Sequence, residues 1–153
     1  MITFKQNNEI TYDDKELMEE NSFIGAKIDT TPLPVYNEVK ASLPQPIWEN
    51  HKDYIDCYWK AWEIAFRNLR QPKENTGFVT NYIDAAFNGC IFMWDSPFML
   101  MFGKYADRIF NFQKTFDNFY SHQHVDGFIC RQIEEETGND IFARHDPAST
   151  GPE

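Results

Sequence analysis

A tryptophan–aspartate pair, Trp94 and Asp95, stands directly before a Ser-Pro dipeptide and a long apolar run. Proline is favoured in the first turn of a helix, so a helix should begin here, with Asp95 or Ser96 as its cap. The pair would then lie at the positive end of the helix dipole. An indole covers the apolar face of a pyranose, and a fixed carboxylate accepts hydrogen bonds from two hydroxyls. The pair suits a sugar site, but a buried tryptophan beside an ordinary cap has the same sequence. On this stretch alone we favour the buried tryptophan.

Two other groups of residues have the side chains that metal or nucleophile chemistry uses. His122, His124 and Asp126 offer three metal ligands on a turn, but no scaffold of known spacing supports them, and we expect solvated loop histidines. Cys130 beside Arg131 is the candidate nucleophile, but its place in an apolar run predicts a buried, inert thiol. The sequence therefore predicts no metal site and no cofactor.

Glycoside hydrolysis requires two carboxyl groups on opposite sides of the scissile bond, about 6.5–9.5 Å apart for inversion and about 5–5.5 Å apart for retention. Asp95 is one candidate, and no convincing second one is evident. Asp126 and the run Glu134-Glu135-Glu136 are possible partners, but spacing alone cannot place them opposite Asp95. The glutamate run is most simply a solvated surface, with room for one of the three to point inward. We assign no catalytic residue.

Two helices should position these residues. Apolar side chains recur with a helical period over 47–69 and again over 97–120. Two such helices joined by a loop form an αα-hairpin, so the pattern predicts an all-α fold. The apolar residues of the first helix are Trp48, Ile55, Trp59, Trp62, Phe66 and Leu69, and those of the second are Phe98, Met101, Phe102, Tyr105, Ile109, Phe112, Phe116 and Phe119.

The connections carry shorter predicted elements. Residues 35–42 predict a short helix between prolines, and 13–20 have room for another. Within the long connection 71–93, the segments 78–83 and 90–93 are candidate short strands, and the apolar run after the Asp-Gly turn at 126–127 is a third extended segment. We divide the chain into a polar, acidic extension over 1–31 and a main unit over 32–153.

Composition excludes several classes of partner. The chain has 153 residues, enough for one domain with a real core, and 16% of them are aromatic. A net charge of -10 argues against nucleic acid and against an anionic membrane surface as partners. No apolar run reaches the roughly 18 residues of a membrane helix, and no signal pattern opens the chain, so we expect a cytoplasmic protein. Three widely spaced cysteines, Cys57, Cys90 and Cys130, predict free thiols.

Three segments in order resemble one group of glycosidases. The segment 92–98, Phe-Met-Trp-Asp-Ser-Pro-Phe, resembles the Tyr/Phe-Trp-Asp-Ser motif of trehalases, processing mannosyl-oligosaccharide glucosidases and mannosylglycerate hydrolase-like enzymes. The segment 126–133, Asp-Gly-Phe-Ile-Cys-Arg-Gln-Ile, is similar to the Gly-aromatic-Ile-x-Arg-Glu segment of the glucosidase branch, with Gln132 where the relatives often have glutamate. The tail 145–152 is similar to the stretch that precedes their next helix. The resemblance covers roughly 32–153.

The resemblance implies a fold and a function. These families share an (α/α)6 toroid of six αα-hairpins around a sugar cleft, and this chain would supply its first part, with short extended segments in the connections. Phe92, Trp94 and Asp95 would bind the departing glycosyl unit, and Arg131 would be a further contact or a structural ion-pair partner. The general acid and base of an inverting α-glycosidase would lie beyond residue 153, so we expect the chain alone to be inactive.

The partners that follow are a disaccharide or an oligosaccharide, together with a second copy of the chain or the remainder of the barrel. A partner of this last kind is expected because helices without enough neighbours leave apolar patches exposed. The alternative from another class is a non-catalytic helical protein that binds carbohydrate or another molecule through Trp94 and Asp95. A purely structural helical domain with a phenylalanine-rich core is the third possibility.

Overall fold

A computed structural model describes residues 2–4, 10–12, 20–124 and 127–141, and it combines short helices with pairs of antiparallel strands. The prediction of an all-α hairpin toroid is therefore wrong. The α-helices are α1 (Tyr36–Val39), α2 (Lys52–Arg67), α3 (Asp95–Gly103) and α4 (Thr115–Ser121). The strands are β1 (Ile2–Phe4), β2 (Ile10–Tyr12), β3 (Leu69–Arg70), β4 (Tyr82–Ile83), β5 (Cys90–Phe92) and β6 (Gln132–Glu134).

The first predicted helix is confirmed as α2, which begins five residues later and ends two residues earlier than the predicted range 47–69. Its amphipathic pattern buries Trp62, Ala65 and Phe66, while charged pairs such as Lys60–Glu63, at 2.9 Å, lie on the outside. Trp48 is not part of α2. It precedes the helix, is half exposed, and packs its ring against His51 and Tyr54. The predicted short helix over 35–42 is also confirmed, as α1 followed by a 3-10 turn at Lys40–Ser42.

The second predicted helix, 97–120, is broken into α3, two 3-10 turns at Lys104–Ala106 and Phe112–Lys114, and α4. An unbroken helix of this length would extend roughly 36 Å and carry its two halves away from each other. The break instead returns Phe112 to α3, where a Cβ on Gly103 would lie 2.5 Å from the Phe112 ring. Phe112 and Phe119 are both fully buried as a result. Tertiary burial has overridden the local helical pattern.

The strand pairs explain why the fold is not all-α. β3 pairs with β4 immediately after α2, and β5 pairs with β6 across about forty residues of sequence. β1 and β2 form a third antiparallel pair. The predicted strand at 90–93 is confirmed as β5, whereas the segment 78–83 forms a strand only at its end, in β4, and β6 begins near the end of the apolar run that follows the Asp-Gly turn. The candidate helix at 13–20 and the tail motif at 145–152 lie outside the described residues.

Two apolar clusters hold these elements together. The first lies between α2 and the turns around α3, and the second lies between β5, β6, β4 and α4. Their buried members are Leu43, Trp62, Ala65, Phe66, Leu69, Ile83, Ala106, Phe110 and Phe112 in the first, and Phe78, Tyr82, Ile91, Phe119, Cys130 and Ile133 in the second. Over the described part of the chain, no helix combines the length and apolar character that crossing a bilayer requires.

Candidate functional site

The β5–β6 ladder brings the four predicted sugar-binding residues to one end of a small sheet. Phe92 stands opposite Gln132 in the ladder, and the N–H of Met93 donates to the carbonyl oxygen of Arg131 at 2.8 Å. Trp94 and Asp95 follow Met93 directly. Residues some forty positions apart in sequence are therefore brought next to each other by the pairing of the two strands. Ile91 and Ile133, paired within the ladder and almost fully buried, anchor this arrangement in the second apolar cluster.

Helix α3 begins at Asp95, two residues earlier than predicted, and its start is not capped in the expected way. Trp94 occupies the N-cap position without a side-chain cap hydrogen bond. The hydroxyl of Ser96 donates to the carbonyl oxygen of Phe92 at 2.8 Å, so the expected cap by Asp95 or Ser96 is wrong. Pro97 falls in the first turn, where an N–H has no intrahelical partner. Asp95 remains in that first turn, close to the positive end of the helix dipole.

Trp94 is an exposed residue, so the sequence-based preference for a buried tryptophan is wrong. Its side chain is 76% exposed, and its ring meets the ring of Phe98 edge-on, with centroids 5.5 Å apart. Asp95 is exposed as well, and within the described ranges its carboxylate has no hydrogen-bond or ion-pair partner. An exposed indole and an exposed carboxylate are thus consecutive residues at the start of α3.

Phe92 and Arg131 flank this pair in different ways. Phe92 is half buried, and its ring packs 5.8 Å from the ring of Phe87. Arg131 is exposed, and its carbonyl oxygen is held by Met93. The backbone position of Arg131 is therefore fixed next to Trp94. Its role as a sugar contact or as an ion-pair partner stays a prediction.

The two histidines are both engaged by other groups among the described residues. The ring nitrogens of His122 face the carbonyl oxygens of Asn118 and Thr76, at 2.7 and 2.8 Å, and these oxygens stand where a metal ion would have to bind. His124 bonds to Asp140 at 2.7 Å. The third candidate, Asp126, lies outside the described residues, and among those described no group of three metal-ligating side chains occurs.

The cysteines agree with the sequence-based expectation. All three are free thiols, and Cys130 is 1% exposed, as predicted for an inert thiol in an apolar run. Its thiol donates to the carbonyl oxygen of Gln132 at 3.1 Å, which turns it into the sheet and away from solvent. Cys57 is the exposed thiol of the three.

A buried carboxyl cluster is the feature that sequence reasoning missed. Tyr82 donates its hydroxyl to Glu135 at 3.1 Å, and Arg70 pairs with Asp84 at 3.2 Å. The second carboxyl oxygen of Glu135 is buried without a partner among the described residues. Burial, followed by the neighbouring charge of Asp84, raises the pKa of Glu135 to about 7.

The inward position of Glu135 was foreseeable only in part. We expected room for one inward residue in the run 134–136, and two-residue alternation from the buried Ile133 selects Glu135. The partners Tyr82 and Asp84 come from β4 and its following turn, which no local pattern indicates. Because Tyr82, Asp84 and Glu135 are all at least nine-tenths buried, the cluster cannot receive a sugar without rearrangement.

Comparison of the chain with known protein families, curated proteins and solved structures found no match in any of the three. The comparisons therefore assign no family to the chain, and the structure describes only what kind of site is present. The site is an exposed indole and carboxylate at a helix N-terminus, positioned by a two-stranded antiparallel ladder. The resemblance to trehalases and their relatives stays a prediction.

Proposed function

We propose that this chain binds a disaccharide or an oligosaccharide through Trp94 and Asp95, as the sugar-holding part of a glycoside hydrolase whose catalytic acid and base it does not carry. One observation carries the proposal: Trp94 is 76% exposed and is followed in the chain by Asp95, an exposed carboxylate with no partner among the described residues. An exposed indole offers a large apolar surface that a ligand can cover.

The chemistry of each group matches a pyranose. The indole of Trp94 offers a flat apolar surface for the C–H face of the sugar ring. The carboxylate of Asp95 accepts hydrogen bonds from adjacent hydroxyls, and such charge-assisted bonds are about twice as strong as neutral ones. The guanidinium of Arg131 supplies donors for the remaining oxygens. Phe92, two residues before Trp94, has its ring packed against Phe87.

The chain is proposed to hold the sugar and not to cleave it. Hydrolysis needs a carboxylic acid and a carboxylate on opposite sides of the bond. Asp95 is the single carboxylate of the proposed site. Asp84 and Glu135 are buried in the cluster with Tyr82, and a substrate does not reach them.

A second candidate function is a non-catalytic carbohydrate-binding module that is unrelated to the glycosidases. The observation that favours it is the fold, since short helices and strand pairs replace the hairpins of the toroid. The two candidate functions differ in the sugar linkage that the chain should prefer. A relative of the α-glycosidases should favour α-linked glucosyl units such as trehalose, whereas an unrelated module carries no such bias.

The test is a titration with trehalose, nigerose and the β-linked disaccharide cellobiose, followed by tryptophan fluorescence. We expect a saturable change with the α-linked sugars that is lost in Trp94→Ala. Asp95→Asn should raise Kd by about tenfold, which corresponds to about 1.4 kcal/mol. Trp48→Ala is the matched control, because Trp48 is 53% exposed and lies before α2, away from the site.

Three outcomes would contradict the proposal. Unchanged binding in Trp94→Ala would remove the site, and equal binding of cellobiose would favour the unrelated module. Absence of binding to any of the sugars would leave the chain without the proposed function. Hydrolysis of an aryl α-glucoside by the purified chain would show that the acid and base are present after all.

A further inference from the structure

Helix α3 turns part of its apolar surface to solvent, while Met99 and Leu100 pack against the first apolar cluster. Ser96 and Gly103 are its buried members. Phe98, Met101, Phe102 and Tyr105, on and just after the helix, are 55%, 65%, 39% and 64% exposed. Their spacing places them on one side of the helix. We call these four side chains the α3 face.

The α3 face is large for a surface that remains uncovered. Aromatic side chains present roughly 150–250 Å² each, so the exposed fractions together amount to roughly 400 Å². The largest apolar patch of a typical monomer is about 300–600 Å² and is usually functional. The walls of an adjoining cavity add to this area.

The cavity adjoins the C-terminal end of α3 and has a volume of about 510 Å³. Phe102 and Tyr105 form one wall, and α2 forms another through Tyr58 and Trp62. Pro44, Pro46, Gln45 and Ala61 complete the lining. A side chain of phenylalanine size fits such a space. The α3 face thus combines a projecting ring, Phe98, at one end with an apolar hollow at the other.

We propose that the α3 face is the interface of a two-fold symmetric dimer of this chain. An isologous interface needs one self-complementary surface, which a projection and a hollow on the same helix provide. With the two α3 helices antiparallel, Met101 lies on the two-fold axis and Phe98 of each copy enters the hollow beside Tyr105 of the other. Trp94, whose ring meets Phe98 edge-on, then lies next to the interface.

Charge and area both fit a second copy. Residues 96–103 contain no ionisable side chain, so the centre of the interface around Met101 buries no unpaired charge although each chain carries -10. Lys104, whose ammonium lies 5.2 Å from the centroid of the Tyr105 ring, stands at the edge of the face. The α3 face and the cavity walls together approach the 500–600 Å² per partner at which specific interfaces begin. An interface at the lower end of the size range is typical of weak, reversible association. The proposal does not rest on the sugar-binding function.

Sedimentation velocity on the full chain, from about 1 to about 100 µM, tests the proposal. We expect a reversible shift from monomer to dimer with concentration. Met101→Lys should raise the dissociation constant at least about tenfold. Ile24→Lys is the matched control, since Ile24 is 55% exposed and lies outside the face, and it should leave the constant unchanged. Circular dichroism verifies that both variants fold.

A cross-link tests the two-fold axis itself. In a Cys57→Ser background, which removes the exposed thiol, Met101→Cys should form a covalent dimer on mild oxidation, whereas Ile24→Cys should not. A monomer at every concentration would overturn the proposal. So would a dimer that Met101→Lys does not weaken, a failure of Met101→Cys to cross-link, or growth beyond the dimer.

Discussion

Glu135 makes the stability of this protein depend on pH. Its side chain is 7% exposed, one of its oxygens accepts from Tyr82, and the other has no partner in the described part of the chain. Burial and the nearby charge of Asp84 raise the pKa of Glu135 from 4.5 to about 7. Removing this one ionisation with Glu135→Gln, which keeps the shape of the side chain, therefore tests the origin of the effect.

The direction in which the free energy of unfolding changes with pH follows from the number of protons that each state binds. Between pH 4.5 and about 7, Glu135 is protonated in the folded chain and ionised in the unfolded chain, so the folded state binds more protons. The free energy of unfolding therefore falls as pH rises through this interval, and the stabilisation is complete only below pH 4.5. At about 1.36 kcal/mol for each pH unit, the loss attributable to Glu135 is roughly 3 kcal/mol.

Urea unfolding of the wild type and of Glu135→Gln, at several values between about pH 4 and pH 8, measures this loss. Groups that do not interact with Glu135 contribute equally to both proteins, so the difference between their unfolding free energies reports on Glu135 together with its interaction with Asp84. We expect Glu135→Gln to gain roughly 3 kcal/mol relative to the wild type across the interval. Most of the gain should appear between pH 5 and about 7.

Two further variants sharpen this measurement. Tyr82→Phe removes a donor that favours the ionised carboxylate, so the transition should move to higher pH. Glu136→Gln removes an exposed carboxylate that pairs with Lys73, and it should change stability by about 0–1 kcal/mol. A difference between wild type and Glu135→Gln that stays constant over the whole pH range would refute the reasoning, because the carboxyl group would then not be responsible.

Two predictions concern backbone packing, and equilibrium unfolding in urea checks both. Gly138→Ala should lower the free energy of unfolding by more than about 2 kcal/mol, because its Cβ would lie 1.7 Å from the carbonyl oxygen of Thr76. Gly25 has a similar φ but open space around it, so Gly25→Ala should cost only about 1–2 kcal/mol of backbone strain. Equal losses in the two variants would exclude the clash. Asn118→Ala should cost roughly 3 kcal/mol or more, because the fully buried amide satisfies the N–H groups of Val79 and Thr80 and the carbonyl oxygen of Thr80; a loss below about 1 kcal/mol would contradict this account.

Local pattern was sufficient where one face of an element is buried and the other is solvated. The stripe that ends in Trp62 and Phe66 predicts α2, and the prolines around residues 35–42 limit α1. The pattern failed over 97–120, because α3 is apolar on all sides and its spacing does not mark where the chain must turn back. The contact of Phe112 with Gly103 decides that turn, and it belongs to tertiary packing.

In the candidate site, too, local pattern predicts some features and tertiary contacts decide the others. Motif and composition indicate Trp94, Asp95, Phe92 and Arg131 as candidates, and this choice stays a prediction. They did not predict whether Trp94 is buried, since an apolar run suits either outcome. The pairing of β5 with β6 is a contact between distant segments, and hydrogen bonds of that kind follow from the whole fold. The hollow beside α3 and the partners of Glu135 arise in the same way.

The position of Trp94 and Asp95 gives the site a stability that a surface loop would lack. Ile91 and Ile133 are almost fully buried, and their ladder fixes Met93 to Arg131 by a backbone hydrogen bond. Preorganised groups lose less conformational entropy on binding, so more of the interaction energy appears as affinity. The exposed Trp94 and Asp95 therefore follow directly after a strand whose pairing is buried. For that reason, sugar binding should depend on the side chains of Trp94 and Asp95 more than on ordering of the backbone that carries them.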